Sequence, residues 1–182
     1  MHVGHLRSLN IGRSLYQINT LAGNNVISDI HMGDWGMPIA QIICYTNSKK
    51  INLNDLDVDA LEEIYPISSA LYTEDDNFKT SAQEINKKLN TNDKDLVEKW
   101  KSLKNISIDS LNQILGKMSH NFDLMLGESD VNYLIPEMIQ GLVDKNKIIQ
   151  DDGAYIANIN VDPKILVTKS DGSYLYLSLI HI

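Results

Sequence analysis

Cysteine is nearly absent from this 182-residue sequence, and long apolar runs are absent altogether. Cys44 is the only cysteine, which excludes an internal disulfide and a multi-cysteine zinc site. No apolar run approaches the roughly 20 residues that a membrane-spanning helix needs, and the N-terminus lacks the basic-then-apolar pattern of a secretory signal. These absences predict a protein of the reducing cytoplasm.

Positive charge is also scarce. Lysine and arginine number 16 against 24 aspartate and glutamate residues, for a net charge of −8. This balance argues against a large nonspecific nucleic-acid surface, because binding to the phosphate backbone depends on lysine and arginine. It leaves room for a small, local RNA contact. The length and the 43% hydrophobic content fit one globular domain with a substantial core.

The first 45 residues predict a helix, a strand, a loop and a second helix in that order. Apolar residues recur at helical spacing over 6–22, a β-prone run covers 26–30, a loop covers 31–36, and the second helix covers 38–45. This order is typical of a doubly wound α/β fold, whose parallel sheet binds ligands beyond the carboxyl ends of its strands.

Residues 51–116 differ in character, because charged and asparagine residues become frequent and helical spacing predominates. Helices are predicted over 56–71, 77–89 and 93–115, and we interpret the segment as a helical insertion with a solvated acidic face. The α/β pattern then returns. It predicts a strand over 121–126, a polar loop over 127–130, a helix over 133–145, a turn and short strand within 148–159, and a hairpin that pairs 165–168 with 174–179.

Two histidines bracket a glycine at the start of the first predicted helix. A helix N-terminus offers unpaired backbone N–H groups and partial positive charge, and Gly4 has no side chain to keep the backbone away from a ligand. His2 and His5 lie three positions apart, so both rings can face the same phosphates. The pattern therefore predicts a triphosphate site, although ordinary surface histidines at a flexible terminus would give the same four residues.

The loop over residues 31–36 is a second candidate site, because it follows a predicted strand of the open sheet. His31, Asp34 and Trp35 are the residues that would frame a substrate pocket there. The alternative is structural, with Trp35 as a packing anchor and Asp34 as a turn former.

Six stretches of the sequence resemble the catalytic domain of arginyl-tRNA synthetases, which are class I aminoacyl-tRNA synthetases. They fall in the family's order, at family-like spacing, across nearly the whole chain. The stretches are MHVGHLRSLNIG at 1–12, VISDIHMGDWGMPIAQII at 26–43, LEEIYPISSA at 61–70, FDLMLGESDVNYLIPEM at 122–138, DDGAY at 151–155 and KSDGSYLYLS at 169–178. The resemblance implies a Rossmann-like parallel sheet of the HUP type, with the helical insertion beside it.

The function that the resemblance implies is ATP-dependent activation of arginine and its ligation to tRNA(Arg). ATP would be a substrate accompanied by Mg²⁺, with no tightly bound cofactor and no resident metal. His2 and His5 would be the catalytic residues, because they would donate hydrogen bonds to phosphate oxygens as charge develops. Gly4 would let the adenosine lie against the backbone.

The resemblance also assigns an arginine pocket to His5, Asp34, Glu128 and Tyr176. A guanidinium group has five N–H donors and no acceptor, so its pocket must supply acceptors. A carboxylate at Glu128 would pair with the guanidinium through two parallel hydrogen bonds and reject lysine. The alternatives are a solvated loop carboxylate for Glu128 and an ordinary half-buried strand tyrosine for Tyr176.

The sequence departs from the family pattern at both ends. We expect the strand that precedes the histidine motif in the family to be missing before Met1, and Ile180 occupies the position of a family aspartate that contacts guanidinium. The run over 179–182 resembles a read-through or a truncation scar, and we expect the remaining sheet, the pyrophosphate loop and the anticodon-binding domain to be absent. We therefore expect a catalytic-domain fragment with unpaired sheet edges that does not aminoacylate alone.

Two other functions stay open at this point. One is a different nucleotidyltransferase with the same histidine motif, which would be protected against heating by ATP and not by arginine. The other is a non-catalytic interaction module that captures a partner through residues 51–116. The sequence gives no oligomeric state.

Overall fold

The structure, a computed structural model, describes residues 3–170, and these residues fall into two units. Within the described range, the first unit comprises the residues up to Met32 together with Gly36–Leu126. The second comprises Gly33–Trp35 together with the residues from Gly127 onward. The short segment 33–35 therefore belongs with the C-terminal part of the chain, although it lies far from it in sequence.

Helix α1 spans Val3–Leu21 and confirms the predicted first helix, which begins three residues earlier than expected. It ends before Gly23, whose φ of 84° is a left-handed conformation that glycine adopts without strain. No residue of α1 is buried within the described chain, and large apolar side chains such as Ile11, Leu15 and Ile18 are more than half exposed.

Strands β1 (Asp29–Met32) and β2 (Leu124–Gly127) form a two-stranded parallel sheet. The strand predicted over 26–30 is wrong in its bounds. Strand β1 begins at Asp29 and includes His31 and Met32 of the expected loop. Ser28 lies just before β1, and its backbone N–H and hydroxyl both donate to Asp123, which lies just before β2. The strand predicted over 121–126 likewise lies slightly later, at β2.

Four helices build the rest of the first unit, and their positions confirm the helices predicted between residues 38 and 115. They are α2 (Met37–Lys49), α3 (Val58–Glu74), α4 (Asp76–Asn90) and α5 (Lys94–Lys117), with a single 3₁₀ turn at Leu53–Asp55. Aspartates cap the last three at Asp57, Asp75 and Asp93, where each carboxylate accepts a backbone N–H of the first turn. Helix α2 packs against α3, α4 and α5, and Ile43, Leu89 and Leu103 are fully buried.

The second unit begins with a single helical turn, α6 (Glu128–Val131), directly after β2. The predicted polar loop over 127–130 is therefore wrong, since Gly127 ends the strand and the next three residues are helical. A 3₁₀ turn at Asn132–Leu134 leads into α7 (Ile135–Asp144), which contains Pro136 in its first turn, where a missing N–H costs nothing.

In the part of the second unit that the structure describes, an antiparallel sheet follows α7. Its strands, in the order β3, β4, β5, are β3 (Ile148–Asp151), β4 (Ala154–Ala157) and β5 (Leu166–Thr168). Asp152 and Gly153 connect β3 to β4 with positive φ at both positions, as the preferred two-residue hairpin turn requires. Strand β5 pairs with β4. The predicted partner of β5, residues 174–179, lies outside the described residues.

The assignment of 51–116 as an insertion stays a prediction, and within the described chain these residues belong to the same unit as β1 and α2. No helix found among residues 3–170 combines the length and the apolar character needed to cross a membrane.

Candidate active site around Asp34 and Glu128

Asp34 follows β1 after a single glycine, and its side chain is buried, with 9% of its surface exposed. One carboxylate oxygen, Oδ1, accepts the backbone N–H of Ser129 at 2.9 Å. The other, Oδ2, accepts the Ser129 hydroxyl at 2.6 Å. A buried carboxylate is costly unless it is hydrogen-bonded. The two hydrogen bonds from Ser129 therefore account for the presence of Asp34 inside the unit. Its partner is a residue 95 positions away, so Asp34 is more than a local turn former.

Gly127 lies against the same carboxylate. A Cβ atom at this position would collide with the Asp34 carboxyl group, which supplies all three of the nearest atoms. Glycine is therefore the residue that allows β2 to end so close to Asp34. The backbone N–H of Gly127 donates to Asp130 Oδ2 at 2.7 Å, which ties the strand end to α6.

Glu128 lies between these two fixed neighbours, as the first residue of α6. Its side chain is half-buried, and Oε1 lies 3.9 Å from the position that a Cβ on Gly33 would occupy. The structure thus brings Asp34 and Glu128, two of the predicted site residues, into one small region of the second unit. In this region, the residues before and after Glu128 both lie against the Asp34 carboxylate.

Gly4 and His5 lie in the first turn of α1, and both are exposed. That turn contains no acidic side chain, which favours an anion at the helix N-terminus. These residues belong to the first unit, whereas Asp34 and Glu128 belong to the second. The predicted site residues His2 and Tyr176 lie outside the described residues.

His31 and Trp35, the other two loop candidates, differ in their surroundings. His31 is an exposed residue of β1, and Trp35 is half-buried beside Asp34 in the second unit. The sequence missed Ser129 and Gly127 as site residues. Their signal was present in the run Gly-Glu-Ser at 127–129, where a glycine and a hydroxyl residue flank the glutamate.

Asp123 and the Cys44 thiol, both in the first unit, have clearly shifted acidities. Hydrogen bonds from Ser28 lower the pKa of Asp123, and burial raises the pKa of the Cys44 thiol. Within residues 3–170, no group of three or more histidine, cysteine, aspartate or glutamate residues is arranged to hold a metal ion. Asp123 and Cys44 therefore do not belong to the candidate site around Asp34 and Glu128, which lies in the second unit.

Comparison with known proteins gives consistent matches. The family model for the catalytic domain of class I tRNA synthetases (R) matches residues 1–179. An arginine–tRNA ligase of Francisella tularensis subsp. holarctica (strain LVS) is 34% identical over 192 aligned residues, which cover 97% of this chain and 33% of the relative. That of Alkaliphilus oremlandii is 32% identical with the same coverage. The chain thus spans about a third of the length of these relatives.

Two solved structures resemble the whole fold. The arginyl-tRNA synthetase of Plasmodium falciparum matches with a TM-score of 0.81 and 26% identity, over 99% of this chain and 31% of that one. A putative arginyl-tRNA synthetase of Campylobacter jejuni matches with a TM-score of 0.55 and 14% identity, over 99% and 40% of the two chains, which supports the fold alone. The predicted Rossmann-like fold class is confirmed.

Proposed function

Because the chain belongs to the family of arginine-type class I tRNA synthetases, through their catalytic domain, we propose that it binds arginine and ATP for the formation of arginyl-tRNA. The observation that carries the proposal is the restraint of the backbone on both sides of Glu128. Ser129 donates two hydrogen bonds to the buried Asp34 carboxylate, and Gly127 lies close against the same group, so the backbone on both sides of the glutamate is restrained.

Arginine recognition falls to Glu128, and the resemblance to the family adds Tyr176 and His5 as expected contacts of the amino acid. A guanidinium presents two parallel N–H donors that match the two oxygens of one carboxylate, whereas a lysine ammonium cannot match both at once. Replacement of the guanidinium by an uncharged group would also remove the charge attraction between the ligand and the Glu128 carboxylate. The pocket therefore selects for arginine by geometry and by charge.

ATP recognition falls to the start of α1. His2 and His5 would donate hydrogen bonds to the phosphates, and Gly4 would let the adenosine approach the backbone. Mg²⁺ would arrive with the triphosphate and offset its negative charge.

The proposed reaction is attack of the arginine carboxylate on the α-phosphorus of ATP, which gives arginyl-adenylate and releases pyrophosphate. The arginyl group then passes from the adenylate to a hydroxyl group of tRNA(Arg), and AMP is released. Phosphoryl chemistry of this kind depends mostly on positioning and on stabilisation of charge. In this scheme, Glu128 orients the amino acid by its distant end, while His2 and His5 stabilise the phosphate oxygens.

Calorimetric titration of the 182-residue chain with L-arginine, L-citrulline and L-lysine tests the proposal. Citrulline has the shape of arginine with a neutral ureido group, so it probes the charge of the pocket. We expect arginine to bind at least tenfold more tightly than either analogue, since hydrogen bonds between charged groups are worth about 1.5–3 kcal/mol each. We expect E128Q to remove most of this preference.

Two results of that titration would contradict the proposal. Equal affinity for all three amino acids would exclude a guanidinium pocket. Protection against heating by ATP, combined with no binding of arginine, would favour a different nucleotidyltransferase.

A further inference from the structure

We infer that Asp34 is a positioning residue that holds Glu128 in place, rather than a direct contact for arginine. The inference rests on the proposed arginine pocket and changes the role that the sequence resemblance gave to Asp34. It follows from three features of the second unit, namely the hydrogen bonds of Asp34, its contact with Gly127 and the shortness of α6.

The hydrogen bonds direct the Asp34 carboxylate at protein and not at ligand. Both oxygens accept donors from Ser129, at 2.9 Å and 2.6 Å. Only 9% of the residue is exposed, so little of its surface is left for an amino-acid substrate. A guanidinium could use only the acceptor positions that Ser129 leaves on this carboxylate, and the burial of Asp34 restricts access to them.

The contact between Asp34 and Gly127 restrains the backbone on the N-terminal side of Glu128 as well. The Asp34 carboxyl group occupies the space in which a Gly127 side chain would lie. Asp34 thus touches the residue before Glu128 and the residue after it. The position and direction of the Glu128 backbone follow from these two contacts.

The shortness of α6 makes an external hold necessary. The helix contains four residues, which is a single turn, and one turn of helix is unfavourable without tertiary contacts. Asp130 adds one more restraint, because its Oδ2 accepts the Gly127 N–H at 2.7 Å. A binding carboxylate on such a turn is precise only if neighbouring groups fix it.

A double-mutant cycle on the 182-residue chain tests the inference. The variants are D34A, E128Q and the pair together, and the readouts are the dissociation constant of L-arginine and the ratio of citrulline to arginine dissociation constants. We expect D34A to weaken arginine binding about tenfold, in the range typical for residues that orient a ligating group, and to lower the ratio. In the E128Q background, we expect D34A to have little further effect, because its target is already lost.

Two milder variants cover the case in which D34A fails to fold. S129A removes the hydroxyl donor and keeps the backbone one, so a loss smaller than that of D34A is expected. D34N keeps one acceptor oxygen for the Ser129 N–H, and its NH₂ group can donate to the Ser129 hydroxyl, so it should restore part of the affinity and of the ratio.

Asp123→Ala is the matched control. Asp123 also accepts a backbone N–H and a hydroxyl from one serine, Ser28, but it is exposed and lies in the first unit. Its loss should lower the melting temperature and leave the ratio unchanged. A purely structural role for Asp34 would give the same result for D34N and S129A, which would overturn the inference.

The outcomes separate the inference from the proposed function. Losses from D34A and E128Q that add in full would mean that Asp34 acts independently of Glu128, which overturns the inference alone. A wild-type chain that does not bind arginine overturns the proposed function and the inference together.

Discussion

Ser28 donates its backbone N–H and its hydroxyl to the same oxygen of Asp123, at 2.8 and 2.7 Å. The backbone N–H of Asp123 in turn donates to Ser28. These bonds join the residue just before β1 to the residue just before β2, so they fix where the parallel pair begins.

This relationship predicts a pH-dependent stability. Hydrogen bonds from Ser28 lower the pKa of Asp123 in the folded chain. A carboxyl group whose folded pKa is depressed stabilises the fold above its ordinary pKa, and that contribution is lost as the pH falls through the folded value. We expect Asp123→Asn to reduce the urea midpoint at pH 7 and to have a smaller effect near pH 3. Equal reductions at both pH values would contradict the stated cause.

Gly127 predicts a steric effect that depends on Asp34. A methyl group at this position would meet the Asp34 carboxylate, and overpacking of this kind costs about 1–3 kcal/mol. We expect G127A to lower the free energy of unfolding by that amount in urea titrations, and to cost less in the D34A background, where the carboxylate is gone.

Gly116 is the matched control for Gly127. It lies within α5, and a Cβ there would meet nothing within 4 Å. Gly116→Ala should therefore stabilise the chain by about 0.5–1 kcal/mol, since alanine is the better helix former. A destabilising effect of equal size at both glycines would show that the Asp34 carboxylate is not the cause.

Two aspartates at the start of α5, Asp93 and Asp95, should contribute unequally to the stability of the chain. Asp93 caps α5 by accepting the Leu96 N–H at 3.2 Å, and loss of such a cap costs about 1 kcal/mol. Asp95 forms an exposed ion pair with Lys99 at 2.9 Å, which is worth about 0.3–0.5 kcal/mol. We expect D93A to lower the melting temperature more than D95A, and the reverse order would refute the assignment of the cap.

His5 predicts an effect on ATP rather than on arginine alone. If its ring donates to a phosphate oxygen, H5A should weaken ATP binding to the chain about tenfold, as expected for loss of one charge-assisted hydrogen bond. H5N keeps an N–H donor and should retain part of the affinity. Fluorescence titration with a labelled ATP analogue measures both, and identical affinities for wild type and H5A would exclude the proposed contact.

The helices could be predicted from sequence because their causes are local. Apolar residues recur along α2 to α5, and the aspartates at 57, 75 and 93 mark where three of them begin. Such signals lie within a few residues of the structure that they determine.

The errors occurred where the cause is distant in sequence. Ser28, just before β1, is hydrogen-bonded to Asp123, which lies 95 residues away. Gly127 was interpreted as the start of a loop, whereas it is the last residue of β2 and lies against the Asp34 carboxylate. The pairing of Asp34 with Ser129 could not be predicted either, because no local pattern specifies which serine a carboxylate will contact. The grouping of Asp34 with Glu128 was suggested by family resemblance, and the structure supplies its geometry.

The contact between Asp34 and Ser129 also has a consequence for the order of folding. It closes a loop of 95 residues, and nearly all of that loop belongs to the other unit. The entropy of closing a long loop must be spent before its contact can stabilise anything. We therefore expect the helices between the two ends to condense first, and the contact between Asp34 and Ser129 to form late in refolding. The proposed arginine site depends on this contact, so it would bind its ligand only after the intervening helices had folded.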